Sequence, residues 1–248
     1  MRKLVVEDIE SLADRFGLQL SWDQIRRLEI FLDQLEAWNR KINLTGLRSR
    51  RRIINELLID SLIPATLIPH TGRLLDIGSG AGFPAVPIKI SRPYLECLLL
   101  EPASKKVSFL KQVVRAAGLQ KIGILRGRIE EAAAVLNQKG YHVITSRAVV
   151  PLPGLIRWAV PHLAPGGMIV AFLGRNSERV MEESADLIDK HHLFTFRSIS
   201  YLLPGKGLPR TILSLKRKGQ TDCNQKAPSP PLLECCQVRG PRLPGNGS

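Results

Sequence analysis

Arg73-Leu-Leu-Asp-Ile-Gly-Ser-Gly-Ala-Gly-Phe-Pro84 decides the fold. Leu74, Leu75 and Ile77 make a short apolar run bounded by turn residues, the pattern of a buried strand. Asp76 stands at its end, and Gly78, Gly80 and Gly82 follow at alternate positions. Pro84 suits the first turn of a helix, where its missing N–H costs nothing. A strand, a glycine-rich turn and a helix start form the opening βα unit of a nucleotide-binding doubly wound sheet. The glycines allow a sharp turn and let a ligand approach without meeting a Cβ.

Two ligands compete for this turn. A dinucleotide fingerprint needs Gly-x-Gly-x-x-Gly/Ala. From Gly78 that pattern fails at Phe83. From Gly80 it runs through Gly82 to Ala85, but puts Pro84 among the residues whose N–H groups should face a pyrophosphate. An acid two residues before the first glycine, Asp-x-Gly-x-Gly-x-Gly, fits methyltransferases that use S-adenosylmethionine better. With no phosphate to hold, the open turn leaves room for the amino-acid part of that cofactor. The strand-end acid orients the turn or reaches the cofactor through water. A turn with no ligand is the third reading.

Downstream, strands and helices alternate. Val86–Ile90 reads as a short helix and Leu95–Glu101 as a second strand ending in an acid. Glu101 lies about 20 residues beyond the glycine turn, where an acid commonly hydrogen-bonds ribose hydroxyls. Ser104 is placed to cap a helix with Val107, Leu110, Val113 and Val114 inward and Lys105, Lys106, Lys111 and Arg115 outward. Lys121–Leu125 predicts a third strand, followed by Gly127-Arg-Ile-Glu130, where a methyltransferase holds the adenine. Tyr141–Thr145 is the fourth strand, ending in Ser146-Arg-Ala148, and Leu152–Leu163 is a helix. Pro165-Gly-Gly167 leads into a fifth strand, Met168–Leu173. A helix over Glu178–Lys190 and an antiparallel pair, Phe194–Ile199 with Arg210–Leu215, complete the series. Such alternation means a mostly parallel sheet.

Upstream, residues 5–63 read as helical. Leu4, Val5, Ile9, Leu12, Ala13 and Phe16 recur at helical spacing and stop at Gly17. Ser21 and Gln24 form a capping-box signature ahead of a helix that presents Ile25, Leu28, Leu32, Leu35 and Trp38 and runs to about Lys41. A third helix, Arg50–Ile63, is closed by Pro64. The division expected is a helical extension over residues 1–70, a methyltransferase domain over 71–217 and a disordered tail from 218. Pro204-Gly-Lys-Gly-Leu-Pro209 is a mobile candidate inside the domain.

The formal net charge is +14 in 248 residues. Such an excess makes a polyanionic partner, nucleic acid above all, the leading expectation. Arg48, Arg50, Arg51 and Arg52 form a run that is more often a solvated face than a site, yet arginine suits phosphate geometry. Of four cysteines, Cys97 lies inside a strand and Cys223, Cys235 and Cys236 lie near the end. No metal or disulfide framework is expected, and a reducing compartment follows. With no secretory signal and no apolar run approaching the ~20 residues of a membrane helix, the expectation is a cytoplasmic protein.

The chemistry narrows by residue type. Methylation of pyrimidine carbon-5 needs a cysteine adduct, and no cysteine is well placed. Exocyclic amines are usually served by an Asn/Asp-Pro-Pro-aromatic motif after the fourth strand, where Ser146-Arg-Ala148 stands instead. Ring N7 of guanine has a free lone pair and needs positioning and charge management rather than a base. Arg147, at the fourth strand end, faces the crevice and suits phosphate or guanine O6. Arg128 and Arg210 are weaker candidates.

Trp38-Asn-Arg-Lys-Ile-Asn-Leu-Thr45, Asp60-Ser61, Leu75–Pro84, Arg128-Ile-Glu130 and Ser146-Arg-Ala148 together resemble the RsmG (GidB) family, bacterial methyltransferases of guanine N7 in small-subunit ribosomal RNA. The resemblance spans about residues 5–217. It implies a Rossmann-like class I α/β fold, S-adenosylmethionine as donor, and 16S ribosomal RNA or the small subunit as partner of a monomer. It implies cofactor contacts at Asp76, Gly78, Ser79, Gly80, Phe83, Glu101, Ile129, Glu130 and Arg147, and RNA contacts at Arg128, Arg147 and Arg210. The family's Lys-Gly after the fifth strand is Leu173-Gly174 here, so one basic contact is missing unless Arg175 replaces it. A histidine usually found before Asp60-Ser61 is replaced by Leu57 and Leu58. Rival readings are a methyltransferase for another RNA base, a non-catalytic RNA-binding protein on this scaffold, and a nicotinamide oxidoreductase.

Overall fold

A computed structural model describes residues 9–132, 135–136, 139–203 and 209–218. Leu4 and Val5, most of the Pro204–Pro209 stretch, everything from Gly219 and the three late cysteines lie outside the described residues.

The strands are β1 (Gly72–Ile77), β2 (Leu95–Glu101), β3 (Ile122–Arg126), β4 (Tyr141–Ser146), β5 (Leu163–Leu173), β6 (Leu193–Leu202) and β7 (Pro209–Arg217). They form one sheet in the order β3-β2-β1-β4-β5-β7-β6. β3 through β5 pair in parallel, and β7 runs antiparallel to both β5 and β6. Strand order reverses between β1 and β4, so a crevice opens at their carboxyl ends.

The helices are α1 (9–14), α2 (Trp22–Asn39), α3 (Arg50–Ile53), α4 (Ile59–Leu62), α5 (Ala85–Ser91), α6 (Ser104–Ala116), α7 (Ile129–Ala132), α8 (Leu152–Ala159), α9 (Ser177–Glu183) and α10 (Ala185–Lys190). Alternate residues of β1 serve opposite faces. Leu74 joins a core with Phe31 and Leu32 of α2, Leu58, Val86 and Leu110, while Leu75 and Ile77 join Leu152, Ile156 and Leu213 on the other side. The amino-terminal helices thus share a core with one sheet face. Phe31 packs on Phe83 of the glycine turn at a centroid distance of 5.0 Å. Burying such a side chain contributes about 1.5–3 kcal/mol. α2 is pinned as well by Gln24. Its Oε1 accepts the Ser21 N–H to complete the capping box, and its Nε2 donates to the carbonyls of Ile90 and Ser91.

Several sequence expectations shift. The third helix is a continuous path from Arg50 to Thr66, with a π turn at Ile54–Leu58, and Pro64 sits inside its closing 3-10 turn rather than ending it. Ser104 is not the cap of α6: the cap position is Ala103, whose N–H is taken by the Glu101 carboxylate. Lys121 has a φ of 53° and precedes β3. The helix expected to reach Leu163 stops at Ala159, and after a 3-10 turn β5 begins at Leu163. β5 therefore includes Pro165-Gly-Gly167. A Cβ on Gly167 would lie 2.8 Å from the Tyr141 carbonyl, so only glycine lets the strands approach there. The helix over 178–190 is two helices, divided at buried Ser184, whose hydroxyl donates to the Val180 carbonyl.

Candidate active site

The glycine turn is built for close approach. Gly78 has a φ of +73°, and a Cβ there would lie 2.4 Å from Val149 Cγ2. Gly82 has a φ of +87°, and its Cβ would meet Val86 Cγ2 at 2.8 Å. Glu101 holds the turn from β2: Oε2 accepts the Gly80 N–H at 2.8 Å and Oε1 accepts the Ala103 N–H at 2.9 Å. Each oxygen keeps a further lone pair for a ligand hydroxyl.

Asp76 lies beneath the turn, 1% exposed. Its register partner on β4 is Thr145, whose hydroxyl donates to Oδ1 at 2.6 Å. Oδ2 is buried with no hydrogen-bond partner among the described residues. Burial pushes this carboxyl up to about 6, against the pull of the Thr145 and Ser79 hydroxyls and the Arg147 charge. An orphaned acceptor under an open glycine turn fits a cofactor that brings its own cationic donor, such as the amino-acid end of S-adenosylmethionine.

A cavity of about 570 Å³ opens above the turn. Gly78, Ser79, Gly80, Phe83 and Glu101 line its β1–β2 side, and Arg147, Asp60, Leu173 and Arg210 line the β4–β7 side. Arg147 is only 17% exposed. Its guanidinium lies 5.3 Å from the Phe83 ring centroid, and Nη1 is 3.5 Å from Asp60 Oδ2. Burial lowers the Arg147 pKa, and Asp60 opposes that shift. Arg210 reaches across Gly174, where a Cβ would stand 3.5 Å from its Nη1. Arg210 of β7 lines the cavity together with Leu173, whereas Arg175 is exposed and outside the lining.

Ile129 is buried in the core, Arg128 and Glu130 are exposed, and none of the three lines the cavity. They stand beside the Glu101 end, where the Gly127 N–H meets the Glu101 carbonyl at 3.3 Å. Lys106, expected outward, lines the cavity. The arginine run is divided: Arg50 pairs with Asp33 and Glu36 and Arg52 with Glu56, leaving Arg48 and Arg51 exposed.

Sequence reasoning gave no site role to Asp60, Tyr201 or the loop Leu44–Leu47. The loop forms a cavity wall and hangs on Asn39. Asn39 Oδ1 accepts the N–H groups of Leu44 and Thr45 at 2.9 and 3.1 Å, and its Nδ2 donates to the Leu47 carbonyl at 2.8 Å. The run Asn39 through Thr45 was visible as a motif, but not as a wall.

Residues 24–200 match the family model described as rRNA small subunit methyltransferase G. The chain belongs to that family. A ribosomal RNA small subunit methyltransferase G of Geobacter sp. (strain M21) is 37% identical over 205 residues, covering 83% of this chain and 94% of the relative. One from Syntrophotalea carbinolica is 36% identical over 211 residues, covering 85% and 97%. Among solved structures, a cofactor-bound protein from MTB aligns with a TM-score of 0.57 at 16% identity, covering 78% of this chain and 91% of that one. An O-methyltransferase from Bacillus cereus in complex with SAH aligns at 0.54 and 14%, covering 75% and 90%. Likeness at that identity carries the fold alone, a mostly parallel α/β sheet. The sequence resemblance to the small subunit methyltransferase G family is borne out.

Proposed function

We propose that the chain transfers the methyl group of S-adenosylmethionine to N7 of a guanine in 16S ribosomal RNA, as a monomer in the cytoplasm. The observation that carries this reading is a cavity with cations on its β4–β7 side and no free base. Among the described residues lining it there is no cysteine or histidine. Of its three acids, Glu56 pairs with Arg52, Asp60 is held by Tyr201 and Arg147, and Glu101 holds backbone N–H groups. A reaction at N7 needs none of them as a base.

When bound, the cofactor supplies an electrophilic methyl group: the N7 lone pair forms the new C–N bond, the C–S pair returns to sulfur, and the positive charge passes to the purine. The chain's residues position the reactants. Asp76 Oδ2 and Glu101 suit the amino-acid and ribose ends of the donor, and the Gly78–Gly82 turn admits it. Arg147 and Arg210 present donors to O6 or a phosphate of the acceptor. Pre-organised donors in a water-poor site act more strongly than in solvent. No helix among the described residues is long and apolar enough to cross a membrane.

The test is tritiated methyl transfer to small ribosomal subunits that lack N7-methylguanine, followed by nucleoside analysis. Label in N7-methylguanosine is expected. Label in another nucleoside, or none with cofactor binding intact, would refute the acceptor.

A further inference from the structure

Asp60 is a buried acid to which methyl transfer assigns no task. Its carboxylate is 5% exposed and lies at the β4–β7 side of the cavity. Oδ1 accepts the Tyr201 hydroxyl from β6, and Oδ2 faces Arg147 at the end of β4. Burial pushes the Asp60 carboxyl up, and the Tyr201 hydroxyl and the charges of Arg147 and of Arg210 on β7 oppose that rise. Four elements distant in sequence converge on one carboxylate. A buried ion pair is weak evidence for stability, because apolar residues of similar volume often serve as well. An ion pair to Arg147, with the Arg210 charge acting on it too, beside a reaction cavity points instead to the cavity.

We propose that Asp60, held by Tyr201, is a positioning residue that fixes Arg147 over Phe83 at the acceptor side and offsets the charge the purine gains. The proposal rests on the guanine reading above. Arg147 has five N–H donors. Asp60 takes one of them while the Phe83 ring confines the guanidinium face, which leaves the others for the acceptor. Without the carboxylate, Arg147 and Arg210 repel each other and Arg147 leaves its place. The methylated purine is a cation, and beside two guanidiniums in a low-dielectric site that product is disfavoured. One buried carboxylate among them lowers the barrier without touching the reacting atoms.

The test combines spectroscopy with a double-mutant cycle. In the ligand-free protein, the Arg147 Nε–H resonance, assigned by its loss in Arg147→Ala, should be resolved in the wild type. It should merge with those of solvent-exposed arginines in Asp60→Asn and broaden in Tyr201→Phe, which removes only a hydroxyl and should fold normally. In single-turnover methyl transfer, Asp60→Asn should slow the step about 100-fold, the cost of a misplaced catalytic contact. Tyr201→Phe should cost about tenfold. In an Arg147→Ala background, Asp60→Asn should add less than about threefold, because coupled residues are non-additive. An Arg147 signal unchanged in both variants, or the full Asp60→Asn loss in the Arg147→Ala background, overturns the proposal. Wild-type protein that forms no N7-methylguanosine would refute the proposed acceptor instead, and the resonance would still decide whether Asp60 fixes Arg147.

Discussion

Replacing Asp76 with asparagine should make the protein more stable at neutral pH relative to acid, while weakening cofactor binding. Burial raises this carboxyl from 3.8 to about 6. At about 1.4 kcal/mol for each tenfold change in proton affinity, that rise is a penalty of about 3 kcal/mol on the ionised folded state. The folded state binds the proton more tightly than the unfolded chain, so the direction is opposite to that of a salt-bridged aspartate. Below about pH 3 both states are protonated and the group contributes nothing. Stability then falls as pH rises, because the unfolded chain releases its proton first, and above about pH 7 the penalty is complete. Asp76→Asn has no such proton. The stability difference, variant minus wild type, should therefore rise by about 3 kcal/mol between about pH 3 and about pH 7.5. The amide N–H that takes the place of Oδ2 finds no partner and costs about 1–3 kcal/mol, but by the same amount at every pH. Urea unfolding of both proteins across that range gives the difference directly. A difference flat to within about 0.5 kcal/mol would refute the burial argument, that being the usual additivity error.

Other perturbations follow from the same geometry. Gly78→Ala forces an L side chain to a φ of +73° against Val149, strain of about 1–3 kcal/mol that should weaken S-adenosylmethionine binding about tenfold by calorimetry; unchanged affinity would mean the turn does not receive the ligand. Asn39→Ala removes four hydrogen bonds from the Leu44–Leu47 loop, one of them long at 3.5 Å, so stability to urea should fall by about 3 kcal/mol and amide exchange at Leu44 and Thr45 should quicken; slow exchange there would show that something else holds the wall. Burial pushes the Cys97 thiol up to about 12, so in a variant with Cys223, Cys235 and Cys236 changed to serine, iodoacetamide should modify the chain only after denaturation. Rapid labelling of the folded variant would contradict that burial.

Much of this architecture is local and was therefore legible. The alternation of Leu74, Leu75 and Ile77, the capping pair Ser21 and Gln24, and the stop at Gly17 each depend on neighbours a few residues away. Element ends were less legible where a distant group intervened. Ser104 lost its expected cap because the Glu101 carboxylate reaches the Ala103 N–H. β5 absorbed Pro165-Gly-Gly167 because the Tyr141 backbone passes close beside Gly167.

The sequence by itself determined the glycine turn, the acids at the ends of β1 and β2, the arginine after β4 and the family to which these belong. Each is a local pattern whose chemistry travels with its spacing. Only the tertiary structure decided that Asp60, Arg147 and Arg210 meet at one cavity with Tyr201 holding Asp60, and that Lys106 turns into it while Arg128 and Glu130 do not. Those four residues are carried by α4, the end of β4, and the antiparallel strands β6 and β7. Burial and charge pairing between them arise from sheet order, which no short stretch of sequence encodes.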